Sequence, residues 1–150
     1  MDIEKEFTDL VEAHLLANND NGLELEEVVV NDIGRGVIAK KDFHKNDFLV
    51  EYSGEFLDLK EAKIREAKYF KDKIPGGFMY FFRSNEKTFC IDATSETGRL
   101  GRLLNHSKDN PNCATKIVYF EDIPRLILVA KHDIKKGSEL LFDYGDRALY

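Results

Sequence analysis

Between Leu23 and Phe142 the apolar residues come mostly in runs of a few residues, each cut off by glycine, proline, asparagine or aspartate. Short runs rich in β-branched and aromatic side chains, bounded in this way, read as strands. Leu23, Leu25 and Val28-Val29-Val30 make the first, closed by a turn over Asn31-Asp32-Ile33-Gly34-Arg35-Gly36. Val37-Ile38-Ala39 and Phe48-Leu49-Val50 are the next two. Phe78 to Phe82 and Thr88 to Asp92 pair through Ser84-Asn85-Glu86-Lys87, a run suited to a tight turn. Ala114 to Phe120 and Leu126 to Ala130 flank a turn at Asp122-Ile123-Pro124-Arg125, and Glu139 to Phe142 is the last strand. The strand–helix alternation of a parallel sheet is missing, so the fold class is mostly β or α+β.

Two helices accompany the strands. Asp2 caps the first, and Glu4 and Glu6 sit at the positive end of its dipole. Ile3, Phe7, Leu10, Val11 and His14 share one face, and Asn18-Asn19-Asp20-Asn21-Gly22 stops the helix. Asp58 with Glu61 is a capping pair for a second helix reaching about Phe70, its lysines and glutamates forming a solvated face.

At 150 residues the chain is expected to be one domain, able to bury a core without metal or disulfide support. Its net charge of −6 disfavours nonspecific nucleic-acid binding and favours a cationic partner, or else serves solubility. Cys90 and Cys113 are the two cysteines; isolated thiols without a CxxC are neither a disulfide framework nor a zinc site. The N-terminus lacks a signal-peptide hydrophobic region, and the longest apolar run, Leu126 to Ala130, is far too short to span a bilayer. A soluble intracellular protein with no membrane contact is expected.

Chemistry concentrates in Gly98-Arg99-Leu100-Gly101-Arg102-Leu103-Leu104-Asn105-His106-Ser107. Leu100, Leu103 and Leu104 anchor the run, which ends in three hydrogen-bonding side chains. Asparagine offers an acceptor and two donors, and neutral histidine one of each, a set that grips a small ligand carrying an amine and hydroxyls. The same three residues suit a polar turn that satisfies its own backbone. In Gly34-Arg35-Gly36, two glycines let another molecule approach the backbone closely, or simply form a hairpin turn. No phosphate-loop pattern is present.

In order along the chain, Gly34-Arg35-Gly36, Tyr52-x-Gly54, Leu104-Asn105-His106-Ser107, Pro111-Asn112-Cys113, Ile134 to Leu140 and Asp143-Tyr144-Gly145 resemble the SET-domain protein lysine methyltransferases. The resemblance runs from about Glu24 to Arg147. Gly36-Val37-Ile38-Ala39, Val50-Glu51-Tyr52, Leu126-Ile127-Leu128 and Tyr144-Gly145-Asp146-Arg147 look most like the branch that methylates the twentieth residue, a lysine, of the histone H4 tail. The resemblance implies several small β-sheets with a C-terminal pseudoknot, an N-terminal flanking helix over residues 1–22 and a catalytic domain over residues 23–150. It also implies S-adenosylmethionine as methyl donor, no metal, a basic histone tail or nucleosome as substrate, and action in the nucleus. Cofactor contacts fall to Ile33, Gly34 and Arg35, mostly through backbone, and to Phe78, Asn105 and His106. Ile33 stands where the branch has a lysine, and Phe78 where it has a tyrosine.

Tyr144 becomes the central catalytic residue, orienting the amine and the transferring methyl. Tyr52, Phe78, Tyr80 and Phe142 become channel walls beside it, although for Phe78 and Tyr80 plain core packing is an equal reading. The branch has a tyrosine where Phe142 stands, and its hydroxyl restricts the product to one methyl; phenylalanine implies room for dimethyl-lysine. Six residues follow Tyr144, without the tryptophan-bearing segment that in the branch covers cofactor and channel. That side is expected to be open, or covered by the N-terminal helix, a partner or a second copy of the chain. Two other functions fit the same motifs: a noncatalytic module binding a histone or another protein, since fold alone does not establish activity, and methylation of nonhistone proteins.

Overall fold

The computed structural model describes residues 2–31, 34–75 and 77–147. In order, its elements are α1 (Ile3–Ala17), β1 (Leu25–Val30), β2 (Gly34–Ala39), β3 (Phe48–Glu51), β4 (Glu55–Asp58), α2 (Leu59–Lys71), β5 (Met79–Ser84), β6 (Lys87–Asp92), β7 (Asn105–His106), β8 (Cys113–Phe120), β9 (Ile123–Ala130) and β10 (Leu141–Phe142). Single 3-10 turns span Gly101–Leu103 and Tyr144–Arg147. Among the described residues the strands form four small sheets. Three are antiparallel, β1–β2, β3–β9–β8 and β4–β6–β5, and the fourth is the parallel pair β7–β10.

Strand β9 is central because it is covered on both faces, which explains its unbroken apolar run. Leu126, Leu128 and Ala130 face the main core with Val37, Leu49, Ile91 and Leu140. Ile127 and Val129, one residue out of phase, pack with Phe48 against Val11 and Leu15 of α1. The period of two along a strand divides one run between two cores.

Both helices start where the sequence indicates. Asp2 accepts from the Lys5 N–H, and Asn18 closes α1 in left-handed backbone. Asp58 and Glu61 form a reciprocal capping box. The buried face of α1 is Val11, His14 and Leu15, with Phe7 alongside; Ile3 and Leu10, expected on that face, are exposed. The sheet is narrow, so it covers only the last turns of the helix. The β5–β6 and β8–β9 hairpins turn on Asn85-Glu86 and Glu121-Asp122, all four at positive φ, as two-residue hairpin turns of matching twist require.

Three strand boundaries differ from the sequence reading. Gly34 and Arg35 belong to β2, opposite Val30 and Val29, so the turn is shorter than expected. Strand β4, with Leu57 as its one buried residue, carries too little apolar signal to read from sequence. Pro124, expected in a turn, lies within β9 opposite Tyr119. The Phe120–Ile123 pair closes the hairpin, so at the next pair the amide position points away from β8. The pairing with β3 covers only Ile127 to Val129, so proline there leaves no ladder donor missing.

A buried ionic cluster ties α1 to the rest. Glu51 is held by two hydrogen bonds from Arg125, at 2.6 and 3.0 Å, and one from Arg99 at 3.2 Å. Arg99 also lies 3.1 Å from Asp20 and donates to Asn18 and Ser53. Asp20 accepts the Leu100 N–H at 2.6 Å and lies 3.4 Å from His14. Burial works to raise the Asp20 carboxyl, but the His14 and Leu100 hydrogen bonds and the Arg99 charge outweigh it and hold it below the ordinary range.

Removing one partner of a buried charge array costs far more than the array gains, so Arg99→Met is expected to destabilise the fold by roughly 3–5 kcal/mol in urea denaturation. A depressed carboxyl stabilises above its unfolded value of about 3.9, and this contribution is lost as pH falls through the folded value. Wild-type stability therefore drops on acidification below about pH 4, and Asp20→Asn, weaker at neutral pH, shows a flatter profile in the same window.

Candidate functional site

The parallel pair β7–β10 places Asn105 beside Leu141 and His106 beside Phe142. Two strands of two residues are held mainly by side chains. The Asn112 Nδ2 donates to the Glu139 carbonyl at 2.9 Å, and its Oδ1 accepts the Leu141 N–H at 2.8 Å. The Ser107 N–H donates to the Phe142 carbonyl at 3.1 Å. The Ser107 hydroxyl accepts from the Asn110 N–H, so this third residue of the polar run serves the local turn.

Asn105 spends both amide hydrogens within the protein. Its Nδ2 donates to the Arg35 carbonyl at 2.9 Å and to Glu139 Oε2 at 2.8 Å. Glycine at position 36 makes this possible, since a Cβ there would stand 2.6 Å from Glu139 Oε2 and 2.9 Å from Asn105 Nδ2. Among the described residues nothing donates to Asn105 Oδ1, which is left as an acceptor at the edge of β2. The Arg35 side chain turns away to Glu96 at 2.6 Å and Glu27 at 3.4 Å, so it offers this edge its backbone. Gly34 is in left-handed backbone at φ +107°. Ile33 lies outside the described residues.

His106 is fixed in one tautomer. The Tyr144 N–H donates to its Nδ1 at 2.9 Å, which leaves Nε2 as the donor of the ring. The Tyr144 hydroxyl donates to the Leu104 carbonyl at 2.8 Å, which leaves its oxygen only accepting capacity towards the rings. The rings form a continuous group. Tyr52 and Tyr80 meet edge-on at 5.3 Å, and Phe142 stands 6.4 Å from each and 5.0 Å from Tyr144. Tyr144 in turn lies 5.0 Å from the His106 ring. Tyr52, Tyr80 and Phe142 are at most 4% exposed, whereas Tyr144 and His106 reach the surface, so the ring group meets solvent at Tyr144. Asp143 and Asp146 lie on either side of Tyr144 in sequence; burial and the Asp143 charge push the Asp146 carboxyl up.

The structure thus gathers Tyr52, Tyr80, Phe142 and Tyr144 beside Asn105 and His106. Phe78 is placed differently: its ring lies 4.2 Å below the Arg102 guanidinium. Arg102 is itself locked to the Ala93 and Thr94 carbonyls and paired with Glu96, which also holds Arg35. Sequence reasoning gave no role to Glu139, Asn112, Glu96 or Arg102. Glu139, Asn112 and Arg102 do lie in runs named above, but a hydrogen bond such as that between Asn105 and Glu139, across 34 positions, leaves no local trace.

A family model described as "SET domain" matches residues 34–145. The N-lysine methyltransferase KMT5A-B of Xenopus laevis is 46% identical over 146 residues, which is 97% of this chain and 43% of that protein. The histone-lysine N-methyltransferase set-1 of Caenorhabditis elegans is 47% identical over 134 residues, covering 89% of this chain and 54% of that protein. The chain therefore spans about half, or less, of these curated relatives. The crystal structure of CpSET8 from Cryptosporidium superposes with a TM-score of 0.77 at 44% identity, over 84% of this chain and 59% of that one. The family match spans both halves of the β7–β10 pair and the β2 edge that Asn105 grips, and on that shared architecture the chain belongs to the SET-domain family.

Proposed function

We propose that this chain is an S-adenosylmethionine-dependent protein lysine methyltransferase whose substrate is the H4 tail lysine, acting in the nucleus. The observation that carries the reading is the meeting of two unlike groups across one strand pair. Asn105 and His106 stand on β7 at the polar edge of β2, and Phe142 of β10 joins Tyr144 in the ring group beside them. Relatives named as N-lysine and histone-lysine methyltransferases support the same chemistry.

The residues present fit the cofactor. An acceptor with no other donor, Asn105 Oδ1, suits an ammonium, and His106 Nε2–H adds a donor. The backbone of Gly34 and Arg35 lies next to them, as a close approach requires. When bound, the cofactor would supply an electrophilic methyl on a sulfonium, whose sulfur would leave as a neutral thioether.

The protein's own part is to deliver that lone pair. Tyr52, Tyr80 and Phe142 exclude water, which disfavours an ammonium and lowers the pKa of an entering lysine, so its proton leaves to solvent. Tyr144, its hydroxyl hydrogen committed to Leu104, accepts from the amine N–H or the methyl C–H and so orients them. Holding nitrogen and methyl in line is chiefly a positioning contribution. Asp143 and Asp146, on either side of Tyr144 in sequence, suit a cationic tail. Phe142, packed beside Tyr52 and Tyr80, lacks the hydroxyl that would restrict the product to one methyl, so dimethyl-lysine is within reach.

Three substitutions test this with labelled cofactor, histone H4 peptide and nucleosomes. Tyr144→Phe is expected to lower turnover roughly 100-fold or more while cofactor affinity stays within about twofold, since the hydroxyl acts on the reacting atoms alone. Phe142→Tyr shifts the product towards one methyl by mass spectrometry; wild-type protein that stops at one methyl under excess cofactor would remove the dimethyl reading. Glu139→Ala frees the Asn105 amide to turn and weakens cofactor binding about tenfold, the scale of one hydrogen bond to a charged group, with partial recovery in Glu139→Gln. Cofactor binding with no transfer to any protein would instead assign a noncatalytic binding module.

A further inference from the structure

Strand β8 is an open edge. It stands last in the order β3–β9–β8 and pairs with β9 in one unbroken register from Cys113 to Phe120. The Phe120–Ile123 pair closes the hairpin, so Ala114, Lys116, Val118 and Phe120 bond to β9. Thr115, Ile117 and Tyr119 therefore turn their N–H and C=O groups outward, and among the described residues nothing bonds to those groups. Long edges are ordinarily defended by proline, a bulge or several charges. This one has neither proline nor bulge, and its one charged residue is Lys116. Ile117 and Tyr119 are 38% and 52% exposed, on the face opposite Ala114, Val118 and Phe120, which pack with the α1 cluster.

Helix α1 runs beside this edge. Glu4 and Thr8 share a cleft of about 460 Å³ with Lys116, and Glu12 and Leu15 share one of about 230 Å³ with Val118. Helix and strand thus run in the same direction, and the flank of the helix next to the edge carries carboxylates. Among the described residues Glu4, Glu12 and Lys116 are in no ion pair.

We propose that a second copy of this chain docks edge to edge on β8, continuing the sheet across a twofold axis at Ile117. Bonded pairs in an antiparallel ladder need an outward residue on each strand. An axis at Ile117 uses all three: Ile117 meets Ile117, and Thr115 meets Tyr119 on both sides of it. An axis at Thr115 would bring in Cys113, next to the crossing of Asn112 and Leu141, and one at Tyr119 would run into the turn at Glu121. Between the bonded pairs, Lys116 of one copy faces Val118 of the other, and Val118 shares its cleft with Glu12. Each copy therefore brings a cation to the place where the other has an unpaired carboxylate, and no like charges stand directly opposite. This complementarity of the strand to itself is what selects a second copy over an unrelated segment. The Ile117–Ile117 and Thr115–Tyr119 pairs are of the β-branched and aromatic kinds that stabilise a sheet. The Tyr119 hydroxyl is hydrogen-bonded with Ser84, so its ring is held before any partner arrives. The contact is isologous and closes at two copies. With about six new backbone bonds and a small buried area it belongs to the weak, transient class, with a Kd on the order of 100 µM.

Sedimentation equilibrium of the whole chain between about 5 and 500 µM, a range that brackets such an affinity, tests the proposal. The wild-type mass is expected to climb towards that of a dimer. Lys116→Glu sets like charges side by side at both symmetry-related positions and is expected to weaken association at least about tenfold. Lys116→Glu/Glu12→Lys restores the pair with its signs exchanged and is expected to return to within about threefold of wild type. Ile117→Pro removes an N–H that the β9 ladder does not use, so the fold remains and the dimer is lost. Amide exchange gives an independent readout: Lys116 and Val118 are protected at every concentration, and Thr115, Ile117 and Tyr119 gain protection only as the dimer fills. A wild-type chain that is monomeric at about 500 µM, with those three amides exchanging fast, would overturn the second copy and leave the edge to a foreign strand. A dimer indifferent to both Lys116→Glu and Ile117→Pro would place the interface elsewhere. Failure of the charge exchange to restore association, with every variant equally folded by circular dichroism, would overturn the register.

Discussion

Everything at the site depends on two dipeptide strands being made to run side by side. A parallel pair this short has too few ladder bonds to stand alone, and parallel pairing is slightly weaker per residue than antiparallel. Asn112 and Glu139 provide what the ladder lacks: one binds the backbone just before β10 and at its first residue, and the other fastens Asn105 to the approach of that strand. The same few side chains that close the C-terminal crossing therefore set the geometry of the polar edge and the ring group. Gly36 marks a close approach, where a Cβ would collide with both members of the Asn105–Glu139 bond.

Local chemistry was legible and tertiary chemistry was not. Asp2, Asp58 with Glu61, and the asparagine-rich stop after Ala17 announce the helices because capping is decided within a turn of the chain. Pro124 misled because its permission to sit in a strand comes from the limited span of β3, which no local window contains. Ile3 and Leu10 misled for the related reason that an amphipathic stripe does not state how long a surface awaits it. At the candidate site, ordered motifs single out Asn105, His106 and Tyr144, and Tyr52, Tyr80 and Phe142 prove to be neighbours. For Tyr80, one of the two rings for which core packing is an equal reading, the structure shows a buried side chain packed on Tyr52 and Phe142.

The ionic cluster around Glu51 connects stability to the site. Glu51 directly precedes Tyr52, and its partners Arg99 and Arg125 come from the segment before β7 and from β9. Gly101 packs so closely on the Glu51 carbonyl that a Cβ would collide with it. Helix α1 enters through Asn18, Asp20 and His14, so the N-terminal helix supports, at one remove, the ring group. Buried charges contribute little net stability for their burial cost, and their use here is to fix one arrangement of three segments.

The two thiols have a practical meaning of their own. Cys90 lies in the small core under α2 and Cys113 in the main core, and burial pushes both up to about 12. Only the thiolate is a nucleophile, so the folded chain presents almost none to an electrophile at neutral pH. Alkylation can then proceed only through opening, and the pair becomes a built-in clock: labelling at one position times the fraying of the α2 sheet, and labelling at the other times the exposure of the interior as a whole.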